Sequence, residues 1–308
     1  MVETRNLTKK YGDFTALDDL SIHLNRGEIL GFIGPNGAGK TTTLRLLAGL
    51  LDPTSGAVRL MGEKLSSSGA EAQRLVGYMP DFFGVYDDLR VWEYLDFFAR
   101  CYRLPAARRK SIVEQLLDLV DLTPKRDAFV QTLSRGMQQR LCLAHALVHD
   151  PPVLLLDEPA SGLDPRARVE LRELLRTLRG MGKTVLLSSH ILSELAEVCS
   201  EIGIMEHGTL LASGTVEDVR RQLQGGSALL VQVLRDAERA AALLREAADV
   251  TEVRADERNE RVLRVAGAIG EEQQAALLAK LMAAGIPVSS FHVEADSLET
   301  LFLRLTQE

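Results

Sequence analysis

Three short apolar runs set the rhythm of the chain: ILGFI (29–33), VLLL (153–156) and TVLL (184–187). Unbroken runs of this length suit strands buried on both faces of a parallel sheet, where alternation is not required. After each the spacing turns helical. LRLLAGL (44–50) follows the first run closely. Leu171, Leu174, Leu175 and Leu178 form one stripe, opened by Asp164 and Pro165 and closed by Gly180. That pattern predicts a capped crossover helix joining the second and third strands. Ser134 stands where another helix should begin, with Leu141, Leu143 and Leu147 behind it. Trp92, Leu95 and Ala99, with Phe98 and Tyr102 beside them, form a further helical stripe and are read as core.

Around Gln224 to Ser227 the composition shifts toward Ala, Arg and Glu, which reads as a linker. Beyond it the pattern predicts strand 228–234, helix 236–247, strands 249–255 and 261–266, helix 271–284, strand 286–294 and a short helix 297–306. That order suggests a small α+β unit of ferredoxin-like type. It contains no Cys/His cluster, Gly-rich loop or carboxylate pair that would suggest chemistry. Dimer support, regulation and an inert stabilising appendage all remain open for it.

Composition narrows the class. With 308 residues, 46% hydrophobic and 26% charged, the chain suggests about two ordinary globular domains. A net charge of −7 argues against a general binder of nucleic acid or anionic membrane. The basic stretch RLPAARRK (103–110) reads first as a solvated face. Three distant cysteines, Cys101, Cys142 and Cys199, show neither a disulfide framework nor zinc spacing, which fits a reducing cytosol. No stretch of 18 apolar residues occurs, and MVETRNLTKKYG lacks the apolar region of a signal peptide; a soluble protein is expected.

The strongest chemical signal follows the first run. Gly34, Pro35, Asn36, Gly37, Ala38, Gly39, Lys40, Thr41 and Thr42 spell G-x-x-x-x-G-K-[ST] between a strand and a helix. The glycines let successive N–H groups face one anion, Lys40 reaches β- and γ-phosphates, and the Thr41 hydroxyl suits Mg²⁺. The second run ends in Asp157 and Glu158. Side chains alternate along a strand, so one carboxylate can face a metal while the other serves as general base. Alone, such a pair is usually a solvated turn; beside a phosphate loop it reads as catalytic. His190 closes the third run, where α/β folds bind ligands. His145 and His149 lie at i and i+4 without a third ligand and are read as structural. The helix opening at Ser134 and Gly136 is a second ready anion site in the same chain.

In order and approximate spacing, GPNGAGKTT, LSRGMQQR, LLLDEP, SGLD and SSH resemble the motif set of the nucleotide-binding subunit of ABC transporters, over about residues 1–220. The resemblance implies an α/β, P-loop (RecA-like) domain over residues 1–223, with a helical subdomain inserted near 82–150 and the 228–308 unit as an accessory domain. It implies ATP and Mg²⁺, with Tyr11 stacking on adenine, Gly34 to Thr42 cradling phosphates, and Thr41 and Asp157 at the metal. Glu158 would polarise water, His190 would sense the γ-phosphate and Asp164 would communicate across a dimer. In the family two subunits pack head to tail, so Ser134 and Gly136 would complete the partner's site. The partners implied are a homodimer or paralogous heterodimer and a separate transmembrane permease, with the chain cytoplasmic and peripheral on the inner membrane face. SLETLFLRLT (297–306) resembles the tails of ABC-2 exporter ATPases.

The chain departs from that pattern in places. The usual LSGGQ is LSRGM, so Arg135 replaces a glycine and adds a cation near a triphosphate, while Met137 replaces a glutamine. Asp81 stands where the family carries a glutamine beside Mg²⁺; an oxygen ligand remains, but water would be held differently. The segment 81–102 holds eight of the fifteen aromatics, split between helical core and docking for a membrane subunit at Phe83 and Tyr86. A soluble ABC-type ATPase acting on nucleic acid is the main rival, although no nucleic acid is expected from the charge. A non-hydrolytic sensor is the third reading.

Overall fold

The computed structural model describes residues 1–65, 74–82, 84, 88–191, 195–223, 228–256, 259–267 and 270–294. Phe83, Tyr86, the 224–227 linker and the 297–306 helix lie outside them. The chain divides into two compact units, Met1–Val219 and Arg220–Glu308.

The first unit is built on two sheets. An antiparallel sheet pairs β1 (Val2–Tyr11), β2 (Phe14–Leu24), β4 (Ser55–Leu60) and β5 (Glu63–Lys64) in the order β2-β1-β4-β5. The second runs β10-β9-β3-β8-β7-β6, made from β3 (Ile29–Ile33), β6 (Val76–Met79), β7 (Val153–Leu156), β8 (Thr184–Ser189), β9 (Glu201–Glu206) and β10 (Thr209–Gly214). All its pairs are parallel except β9 with β10. The three apolar runs are its central strands, and every residue of β3, β7 and β8 is buried. Leu7, Leu17 and Val58 from the antiparallel sheet meet Leu44 and Leu47 of helix α1 (Lys40–Leu47) and Leu155 and Leu186 of the parallel sheet in one core.

Helices α2 (Val91–Cys101), α3 (Ala106–Leu119) and α4 (Arg135–Leu147) are inserted between β6 and β7, and α5 (Pro165–Gly180) is the crossover from β7 to β8. The α2 face differs from the sequence reading. Val91, Tyr94, Leu95 and Ala99 are buried, whereas Trp92 is half-buried with the Arg126 guanidinium 5.3 Å from its ring. The burying stripe is rotated toward Tyr94, because Tyr94 and Phe98 pack on the His145 ring of α4. His149 stacks on Tyr102 at 3.8 Å. One of its nitrogens, Nε2, lies 3.0 Å from the Val76 carbonyl. A Cβ on Gly77 would overlap the Ala146 carbonyl. The end of α4 is therefore fastened to the strand that leads to Asp81.

The boundary between the units falls within α6 (Val216–Leu223), and the second unit continues with β11 (Ala228–Val233), α7 (Ala237–Arg245), β12 (Val250–Asp256), β13 (Asn259–Gly267), α8 (Glu271–Ala283) and β14 (Val288–Glu294). The strands pair antiparallel in the order β12-β13-β11-β14. This βαββαβ sheet order is the ferredoxin-like arrangement expected from the element order. Its core gathers alternate residues Leu229, Val231 and Val233 with Leu263, Val265, Leu277 and Leu281.

Burial lowers the His145 pKa to about 4. The unfolded chain binds a proton there below about pH 6.5 while the native state does not. Stability carried by this residue is complete above pH 6.5 and falls by up to about 1.4 kcal/mol per pH unit toward pH 4. His145→Phe, assayed by urea unfolding between pH 7.5 and 5, should reduce that slope; an unchanged slope would place the acid sensitivity elsewhere.

Candidate functional site

The phosphate loop leaves the end of β3 and closes into α1. Gly39 has φ +100°, and a Cβ there would lie 2.8 Å from the Ala16 carbonyl. A Cβ on Gly34 would overlap the Met205 carbonyl. Only glycine fits either position, and the resulting coil leaves α1 without a side-chain cap, its N–H groups open to an anion. Lys40 is 6% exposed; its Nζ donates to the Gly34 carbonyl at 2.6 Å and the Pro35 carbonyl at 3.1 Å. It also lies 3.6 Å from Glu158 Oε1.

Asp157 and Glu158 follow β7 and face different partners. Asp157, 1% exposed, accepts from Thr41 Oγ1 at 3.1 Å and from Ser188 Oγ at 2.7 Å. Glu158 turns away toward Lys40 and to His190 Nδ1, 2.9 Å from its Oε2. That turn requires Glu158 to adopt φ +48°, a left-handed conformation uncommon for a side-chain-bearing residue. Ser188 stabilises it, because its oxygen accepts the Glu158 N–H at 2.9 Å while its proton goes to Asp157. Ser188 was missed in the sequence, where it reads as the tail of an apolar strand; the polar SS pair ending that strand was the available signal.

One cleft of about 260 Å³ is lined by Tyr11, Phe14, Ala16, Asn36 to Thr42, Asp81 and Glu158. Tyr11 is 49% exposed and Phe14 64% exposed, paired across the β1–β2 hairpin. Phe14 was also missed, although an aromatic opposite Tyr11 in KKYGDF was visible. Asp81 brings a second carboxylate to the lining, beside Glu158. Thr41, Asp157 and Asp81 together offer hard oxygen donors of the kind Mg²⁺ takes.

Ser134, Gly136 and Asp164 do not line this cleft. Ser134 caps α4, its Oγ accepting the Met137 N–H at 3.4 Å. Asp164 caps α5, accepting the Ala167 N–H at 2.9 Å. Arg135 lies over Gly162 of its own chain.

A Gly-rich loop at a strand end, a lysine within it, and an Asp–Glu pair at the same end of a strand two places along the sheet define a P-loop ATPase site. Comparison with known proteins narrows this. Residues 17–161 match the family model described as ABC transporter, and residues 214–306 match the model for the ATP-binding protein DrrA1-3-like, C-terminal domain. Nod factor export ATP-binding protein I of Paraburkholderia xenovorans (strain LB400) is 44% identical over 213 residues, 69% of this chain and 70% of that one. A solved ATP-binding subunit of an ABC transporter superposes with TM-score 0.65 and 33% identity, covering 72% of this chain and 92% of the other. An ATP-binding cassette solved as a dimer in a post-hydrolysis state with ADP and Pi gives TM-score 0.64 and 26% identity, covering 70% and 99%. The chain belongs to the ABC transporter family, as an ATP-binding subunit with ATPase activity.

Ser188→Ala leaves the Glu158 N–H unpaired and removes one donor to Asp157, a loss of about 1–3 kcal/mol at a buried site. We expect kcat for ATP to fall by about an order of magnitude with a small change in KM. Steady-state ATPase kinetics test this, and an unchanged kcat would remove Ser188 from the catalytic framework.

Proposed function

We propose that this chain is the motor subunit of an exporter, converting ATP-driven pairing of two such subunits into movement of a separate transmembrane permease. Residues 1–223 form the ATPase domain, with the helical subdomain at about 82–150, and residues 228–308 the accessory domain. The observation that carries the reading is the split of the motifs. The phosphate loop, Tyr11, Asp81 and Glu158 share one cleft, while Ser134 and Gly136 open a different helix outside it. A site that needs both halves is completed by a second copy or a paralogue. The names of the relatives support export, and among the described residues no helix is long and apolar enough to cross a membrane. A permease in another chain, with this subunit on the cytoplasmic face, accommodates both facts.

The residues divide the work as follows. Tyr11 and Phe14 offer aromatic faces for a base. Backbone N–H groups from Gly37 to Thr41 and the Lys40 ammonium take the phosphates, Lys40 exchanging its carbonyl partners for them. Thr41, Asp157 and Asp81 would hold Mg²⁺, which neutralises phosphate charge when bound. Glu158 accepts a proton from the attacking water, and His190 fixes its carboxylate. Asp164 faces the dimer partner. Phe82, 89% exposed at the head of the inserted arm, belongs to a surface suited to the permease.

Glu158→Gln protein should sediment as a dimer with saturating Mg-ATP and as a monomer with ADP. A strictly monomeric variant under both conditions, with the permease present, would sink the reading. Asp81→Gln should raise basal ATPase turnover several-fold, since a neutral amide removes a like charge from the rim shared with Glu158. Equal basal and permease-stimulated rates for the two proteins would show that Asp81 does not tune hydrolysis.

A further inference from the structure

The turn that opens α4 and the loop that precedes α5 meet within one chain, and their contact centres on Arg135. This residue is exposed, and its side chain makes no hydrogen bond or ion pair with any described residue. Its guanidinium nevertheless lies against backbone. A Cβ on Gly162 would overlap its Cζ and crowd both Nη atoms, so the group lies directly on the glycine backbone. Gly162 has φ +68°, a conformation and a clearance that only glycine supplies together. The next residue continues the contact: a Cβ on Gly136 would lie 3.4 Å from Ala167 Cβ and 3.5 Å from Leu163 Cδ2. One turn further along α4, Arg140 Nη1 is 3.7 Å from Glu170 Oε2. On the other side, the Ser161 N–H donates to the Glu158 carbonyl at 3.0 Å. An unbroken path therefore runs from Glu158 through Ser161 and Gly162 to Arg135 and Ser134.

A cation at the first position of a helix opposes the helix dipole, so helix stability does not account for Arg135. Planarity does: a guanidinium covers a bare backbone segment with more area than an ammonium can. We infer that Arg135 is a positioning residue whose guanidinium, laid on Gly162, makes the 161–164 loop and the Ser134 turn move as one body. The inference rests on the proposed reading in which Ser134 completes the partner's site. Movement at a chain's own Glu158 is then transmitted to the serine it offers the partner's nucleotide, and the two sites hydrolyse in concert.

The competing role is a direct charge contact with the partner's triphosphate, and substitutions separate the two. Positioning predicts that Arg135→Ala, Arg135→Lys and Gly162→Ala each lower kcat about tenfold. Each should also pull the Hill coefficient for ATP hydrolysis from about 2 toward 1. ADP affinity at the P-loop should stay unchanged in all three. Arg135→Lys retaining full rate and cooperativity would overturn the inference in favour of charge, and Arg135→Ala retaining both would overturn it outright. The Arg135 variants alter an exposed side chain and keep the test decisive even if Gly162→Ala melts. Dimerisation of Glu158→Gln protein with ATP is scored separately, so a monomer there defeats the dimer reading, whereas a normal dimer together with Arg135 variants of wild-type rate and cooperativity defeats only this inference.

Discussion

The site is organised around one buried anion. Asp157 is 1% exposed, and a carboxylate removed from water is tolerated only where donors replace its hydration. Thr41 and Ser188 supply hydroxyls to its Oδ1, and its own N–H donates to the Met79 carbonyl at 2.8 Å. These bonds tie the ends of β6, β7 and β8 to the phosphate loop after β3. The sheet order β3-β8-β7-β6 is what brings them within reach. Parallel strands place all their carboxyl ends at one edge, so a loop, two acids and a histidine far apart in sequence converge there.

The inserted helices are held by their own packing. Aromatic rings clamp the inserted helices to β6 through His145 and His149, so these histidines serve packing and a backbone carbonyl. The C-terminal unit closes a core of its own with alternate strand residues and the inner faces of two helices. Among the described residues, every member of that core belongs to this unit.

Much of this was legible in the chain because spacing carries the information. Unbroken apolar runs identified β3, β7 and β8, and the caps Ser134 and Asp164 were visible where side-chain oxygens bond the first turn. The P-loop residues could be read from their order alone, since G-x-x-x-x-G-K-[ST] leaves few alternatives. What escaped depends on tertiary contact. Ser188 looks like strand until its hydroxyl is seen bridging Asp157 and the Glu158 N–H. Trp92 fits the helical stripe, but pairing of Tyr94 with His145 rotates the buried face and leaves the indole under Arg126. Arg135 suggested a partner's phosphate, and only the fold reveals the glycine beneath it.

The bonding of Lys40 has a thermodynamic corollary. Its ammonium already holds two carbonyls and neighbours a carboxylate, so in the proposed reading nucleotide entry is an exchange of ligands around a cation whose hydration has been lost beforehand. Affinity then reflects the difference between two well-satisfied states, which moderates it. The same carbonyls await the lysine when product departs, so turnover ends with a competitor built into the loop itself.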